Sequence, residues 1–194
     1  MRQTGIFKSG ISVFLKMLLT IVMSYIVTLS LLLLLSKVAT LGFILSFVCC
    51  MMIFIAIPYS YIWEIASTDK NKVNYGHESE DMLKGFKIGL IASVPAFLTA
   101  VLLLVCTAIA KGEFAHYVFI LYNAQFLPLF LKVLPLSMKI SEINFGVSLL
   151  CSLATFVLPV ITGIAYVLGY KRISLIDKFI YKNAPRKRKP KKRR

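Results

Sequence analysis

Met17-Leu-Leu-Thr-Ile-Val-Met-Ser-Tyr-Ile-Val-Thr-Leu-Ser-Leu-Leu-Leu-Leu-Leu-Ser36 contains no Asp, Glu, Lys or Arg. A helix rises about 1.5 Å per residue, so roughly 20 apolar residues cross the ~30 Å hydrocarbon core of a bilayer. Four further stretches share the property: Val38–Trp63, Ile88–Ala110, Phe114–Leu131 and Ile143–Tyr170. The pattern predicts an all-α integral membrane protein with one helical membrane domain over residues 1–170. Its spans are expected near 17–36, 38–63, 88–110 and 143–169.

Composition agrees. Of the 194 residues 58% are hydrophobic, above the roughly 45–50% of soluble domains. The longest internal polar segment, Glu64–Lys87, is too short for a separate soluble domain and reads as a central loop. Cys49, Cys50, Cys106 and Cys151 all fall inside apolar runs with no C-x-x-C spacing. They read as small buried side chains rather than metal ligands or a disulfide framework. Arg2, Lys8 and Lys16 before an apolar run resemble a secretory signal, but the run is too long for an h-region and no small-x-small cleavage site follows. A retained first span is expected.

The lysines and arginines set the topology, because they favour the cytoplasmic side. With four spans and both termini inside, 19 basic residues lie inside and only Lys37, Lys111, Lys132 and Lys139 outside. Counting Phe114–Leu131 as a fifth span degrades that asymmetry for either orientation. This run also carries His116, Asn123, Gln125 and Pro128. Phe119, Tyr122, Phe126 and Phe130 recur at spacings of 3, 4 and 4, one helical face suited to the membrane–water interface. Residues 114–136 are therefore expected to be an interfacial or re-entrant element on the outer face, two short helices broken at Pro128. A fifth span is the alternative.

Thr20, Ser24 and Thr28 make a small polar stripe on the first span, and Ser148, Ser152, Thr155, Pro159 and Thr162 make another on the last. Such stripes let helices approach closely in lipid; lining a polar path is the alternative. Ser79, with Glu80 and Asp81 behind it, is expected to cap the third span. Gly85, Gly89 and Ser93 then repeat every four residues, a small-xxx-small face for another helix of this chain or of a second copy. Pro58, Pro95 and Pro159 are expected to kink their spans.

Gly169 is expected to end the last span. Ser174 and Asp177 fit a capping box, and Ile173, Leu175, Ile176, Phe179 and Ile180 share one arc of a helical wheel. Residues 171–184 are expected to form an amphipathic helix in the inner interface, and 185–194 a disordered polybasic tail. Residues 171–194 hold 12 of the 23 Lys and Arg and one acid, Asp177. Lys178, Lys182, Arg186, Lys187, Arg188, Lys189, Lys191, Lys192, Arg193 and Arg194 are the expected contacts to anionic phospholipid head groups, at about 1 kcal/mol per basic residue near the surface. RNA or ribosomal surface is a second partner class for a flexible polycation.

No ionisable residue lies within the four expected spans, whereas proton pumps and ion-coupled transporters place such groups at membrane depth. Glu113 and His116 form a single E-x-x-H, short of the two copies that a carboxylate-bridged di-metal site needs. Glu64, Asp69, His77, Glu78, Glu80 and Asp81 gather in the central segment, a solvated acidic stretch rather than a metal or partner site. No phosphate-binding or hydrolase motif appears.

Lys84-Gly-Phe-Lys-Ile-Gly-Leu-Ile-Ala-Ser93 and Gly169-Tyr-Lys-Arg-Ile-Ser-Leu-Ile-Asp-Lys-Phe-Ile-Tyr-Lys182 resemble segments of small polytopic bacterial membrane proteins that carry no assigned activity. The resemblance covers about an eighth of the chain. It implies a bacterial inner-membrane location, where the basic-residue count puts both termini on the cytoplasmic side, and no catalytic residue. The expected function is non-catalytic and without a cofactor: association of Gly85, Gly89, Ser93, Ser148, Ser152 and Thr155 with a membrane-protein partner or a second copy. A component of a small-solute transporter or channel is the alternative.

Overall fold

The computed structural model describes residues 5–76 and 79–173. They form seven α-helices joined by short turns and single 3-10 turns: α1 Ile6–Leu34, α2 Ala39–Asn74, α3 Lys84–Ile109, α4 Phe114–Tyr122, α5 Leu127–Val133, α6 Phe145–Leu153 and α7 Val157–Tyr170. No strand occurs among the described residues. Taking α6 and α7 as one unit, Phe145–Tyr170, four helices are long and apolar enough to cross a membrane. The expected amphipathic helix from Ser174 onward, the polybasic tail and its lipid contacts lie outside the described residues.

The four long elements form a ring in which α1 packs on α2 and α3, and α7 closes it against both α2 and α3. Small residues set the approach. A Cβ on Gly85 would lie 2.2 Å from Tyr166 Cβ, and one on Gly89 2.7 Å from Pro159 Cα. Gly169 is the penultimate residue of the last helix, which ends at Tyr170. It lies inside α7 where that helix meets α2, and a Cβ there would fall 2.5 Å from the Trp63 carbonyl oxygen. The chain turns at Arg172, at a φ of 55°, and the Trp63 indole N–H donates to the Ile173 carbonyl (3.2 Å).

The last span is interrupted at Ala154–Phe156 by a 3-10 turn. Pro159 explains part of this, because it has no N–H for the carbonyl of Thr155 four residues earlier. Pro58 and Pro95 lie within unbroken helices. Beyond the interruption α6 packs mainly on α3, and the place beside α2 is taken by α5.

Two boundaries differ from those expected. Helix α2 does not stop at Trp63 but continues to Asn74. Much of the expected central loop is thus helix, about 54 Å in total at 1.5 Å per residue. Helix α3 starts at Lys84, not beside Ser79. Asp81 supplies the side chain there, accepting from the Leu83 N–H (3.1 Å) and from the Lys87 ammonium (2.8 Å). That ammonium, with help from the Leu83 N–H, holds the Asp81 carboxyl below the usual carboxylate range.

Candidate functional site

Helices α4 and α5 are bent by 86° relative to one another. The break lies at Asn123 and not at Pro128, which sits in the first turn of α5, where a missing N–H costs nothing. The Asn123 amide N–H donates to the Phe119 carbonyl (3.0 Å), finishing the last turn of α4.

Both arms return to the same end of the bundle. The His116 Nε2–H donates to the Leu134 carbonyl (3.2 Å), the Tyr117 hydroxyl donates to the Leu136 carbonyl (3.2 Å), and a Glu113 carboxylate oxygen accepts the Ile140 N–H (3.0 Å). A segment crossing the bundle would separate Phe114 from Val133 by its full thickness. Here the two ends are laced together, so the pair is a V with its base at the α1–α2 end. The E-x-x-H pair is part of this lacing. Phe119, Phe126 and Phe130 do not lie on a surface face as expected. They are buried, Phe130 packs at a tilt against Phe119 (5.3 Å) and Phe126 (5.8 Å), and Phe126 meets Phe54 of α2 at 5.8 Å.

The apex of the V carries Asn123 and Gln125, 0% and 3% exposed. Asn123 Oδ1 and Gln125 Oε1 have no hydrogen-bond partner among the described residues. Both residues line a cavity of about 20 Å³, whose other polar walls include Ser93 on α3 and Thr155 in the 3-10 turn before α7. Ile21, Ala96 and Leu158, which also line it, lie within two residues of the midpoints of α1, α3 and the α6–α7 unit. Nine residues of α4 give about 13.5 Å, close to half the ~30 Å of a hydrocarbon core. A larger apolar groove of about 390 Å³ lies on the outside, between α2 and α5, with Lys132 at its border.

At the opposite, α2–α3 end, the continuation of α2 carries Asp69, 2% exposed. One carboxylate oxygen accepts from Lys84 (2.7 Å) and from the Tyr166 hydroxyl (3.1 Å), the other from Lys72 (3.4 Å). One side chain thus joins α2, α3 and α7. Lys70 lies 5.5 Å from the centre of the Tyr170 ring, and the Arg172 guanidinium donates to the Asn71 side-chain oxygen.

The small residues singled out in the sequence separate into four groups. Gly85 and Gly89 face α7 within the chain. The Ser148 hydroxyl lies 3.2 Å from that of Thr107, joining α6 to α3, and Ser152 donates back to the Ser148 carbonyl (2.8 Å). Ser93 and Thr155 line the apex cavity. Thr20, Ser24 and Thr28 are fully buried, with Thr28 against Cys50 at 3.4 Å. Glu64 and Asp69 belong to α2, while His77 and Glu78 lie outside the described residues. Among the described residues no three His, Cys, Asp or Glu side chains converge.

Asn123, Gln125 and the Asp69 cluster are the sites sequence reasoning missed. The signal for the first was present: two amides within three residues of an apolar run. No family model matches the chain, and comparisons with the curated proteins and with solved structures returned no match.

Proposed function

We propose that the chain is a four-span protein of a bacterial inner membrane, with both termini cytoplasmic and the V dipping from the outer face to mid-membrane, and that it acts as a component of a small-solute channel or transporter. The observation that carries this reading is the apex. Two buried amides, whose oxygens have no partner among the described residues, meet a small cavity at the level where three of the apolar spans have their midpoints. Non-helical backbone and polar groups at membrane depth are tolerated where they are packed in protein or line a path. Leaving each acceptor unpaired costs about 1–3 kcal/mol. The proposal assigns no catalytic residue and no cofactor, and leaves the tail to anionic lipid of the inner leaflet.

Association through Gly85 and Gly89 loses its motivation, since α7 already occupies that face. The test is flux into vesicles holding the purified full chain, read by stopped-flow swelling in glycerol and in urea and by sodium uptake under an imposed potential. A flux above that of protein-free vesicles, removed by Thr155→Phe, is the expected result. Rates equal to protein-free vesicles for all three probes, or a flux indifferent to Thr155→Phe, would overturn the reading.

A further inference from the structure

We infer that the apex of the V binds one small monovalent cation, stripped of water and held by neutral oxygens. This names the species for the permeation reading and rests on that reading for its purpose.

The polarity of the cavity wall points this way. Asn123 Oδ1 and Gln125 Oε1 are acceptors only, and both are buried without a partner among the described residues. The orientation of the Asn123 amide is set by its N–H bond to the Phe119 carbonyl. The hydroxyl protons of Ser93 and Thr155 are already given to the carbonyls of Gly89 (2.8 Å) and Ser152 (2.7 Å), so each hydroxyl turns only lone pairs to a ligand. Thr155 adds a carbonyl that Pro159 deprives of its helical donor. Four side-chain oxygens and one backbone oxygen with no proton to share therefore belong to the residues of one small cavity.

These acceptors suit a cation, beside the donor groups that Tyr122 and the Gln125 amide also bring to the lining. Hard cations take oxygen ligands, and backbone carbonyls at broken membrane helices serve the same purpose. The absence of a carboxylate from the lining fixes the charge class, because sites for divalent ions draw on carboxylates. About 20 Å³ admits one water-sized species, since a single water needs roughly 10–15 Å³. Both α4 and α6 also end beside the cavity, at Tyr122 and Leu153, and helix C-termini carry partial negative charge.

The test uses the full chain in nanodiscs, melted in sodium, potassium, ammonium and N-methylglucamine chlorides at equal ionic strength, with radiolabelled sodium binding alongside. The expected result is a saturable rise in melting temperature with at least one of the three small cations and none with N-methylglucamine. Asn123→Leu and Gln125→Leu should each weaken the midpoint by about tenfold, the effect of one oxygen ligand worth about 1.4 kcal/mol. The wild-type salt series stands even where a variant fails to fold. Identical melting in all four salts, with no saturable sodium binding, would overturn the inference and leave the cavity to a single water. Cation binding without any flux would keep this site and defeat the permeation reading; flux without cation-specific stabilisation would do the reverse.

Discussion

Replacing Gly89 by alanine puts a methyl carbon 2.0 Å from the Thr162 hydroxyl oxygen and 2.7 Å from Pro159 Cα. The hydroxyl can turn aside at the cost of its bonds to the carbonyls of Leu158 and Pro159, both 3.0 Å. The Pro159 backbone cannot. Carbon atoms rest at about 3.5–4.0 Å, so α3 and α7 must part by about 1 Å, and overpacking of this kind costs about 1–3 kcal/mol. Gly85→Ala meets Tyr166 Cβ at 2.2 Å and the Thr162 carbonyl oxygen at 2.6 Å, and should cost a similar amount. One displacement of α7 relieves both clashes, so the double variant should lose less than the sum. Gly163→Ala is the control on the same interface. Its nearest neighbour, Phe86, is 3.6 Å away, an ordinary contact, and exchanging a mid-helix glycine for alanine then gains about 0.5–1 kcal/mol. Thermal unfolding in detergent, followed together with oligomeric state, reads all four variants against the wild type. Gly89→Ala melting like the wild type, or Gly163→Ala melting as low as Gly89→Ala, would refute the packing argument. A loss seen only as dissociation of an oligomer with an intact monomer would assign the face to a second copy.

Lys84→Met should destabilise the chain by about 3–5 kcal/mol, the cost of stripping a buried carboxylate of its nearest ion-pair partner. Adding Asp69→Asn should recover part of that loss, a coupling measurable in a double-mutant cycle by equilibrium unfolding; no recovery would mean that the pair does not act as a unit. Glu113→Ala should free the base of the V by removing the acceptor of the Ile140 N–H, a charge-assisted bond worth about 1.5–3 kcal/mol. Faster amide exchange over residues 134–142, with the rest of the bundle unchanged, is the expected signature, and Glu113→Gln should restore most of the protection.

The four long helices were legible because charge-free length is a direct demand of the bilayer, with no tertiary information required. The far end of α2 was not, for the same reason: a run ends at the first charge, whereas the helix ends where its packing ends. Ile62, Ala66 and Asp69 are all buried at spacings of 4 and 3, a continuation of the inward face that Glu64 conceals. The Gly85 and Gly89 pattern announced a close contact but not its partner, since Pro159, Thr162 and Tyr166 are distant in sequence. The bend of the V was misplaced because proline was read as a breaker when it also starts helices, and Asn123 was the residue that ended one. The cavity itself could not be read at all. It exists only where α1, α3, the V and the 3-10 turn before α7 converge.

The contacts of α7 also carry a message about the order of assembly. It is the last described helix to leave the ribosome, and it supplies the Tyr166 hydroxyl to Asp69 and the backbone that covers Gly85 and Gly89. Until it arrives, the nascent α1–α6 portion holds a carboxylate short of one donor, an uncovered groove on α3 and an apex without its Leu158 wall. The V is therefore made before the compartment it fills. Its two amides are enclosed only when the final helix lets the bundle close around them.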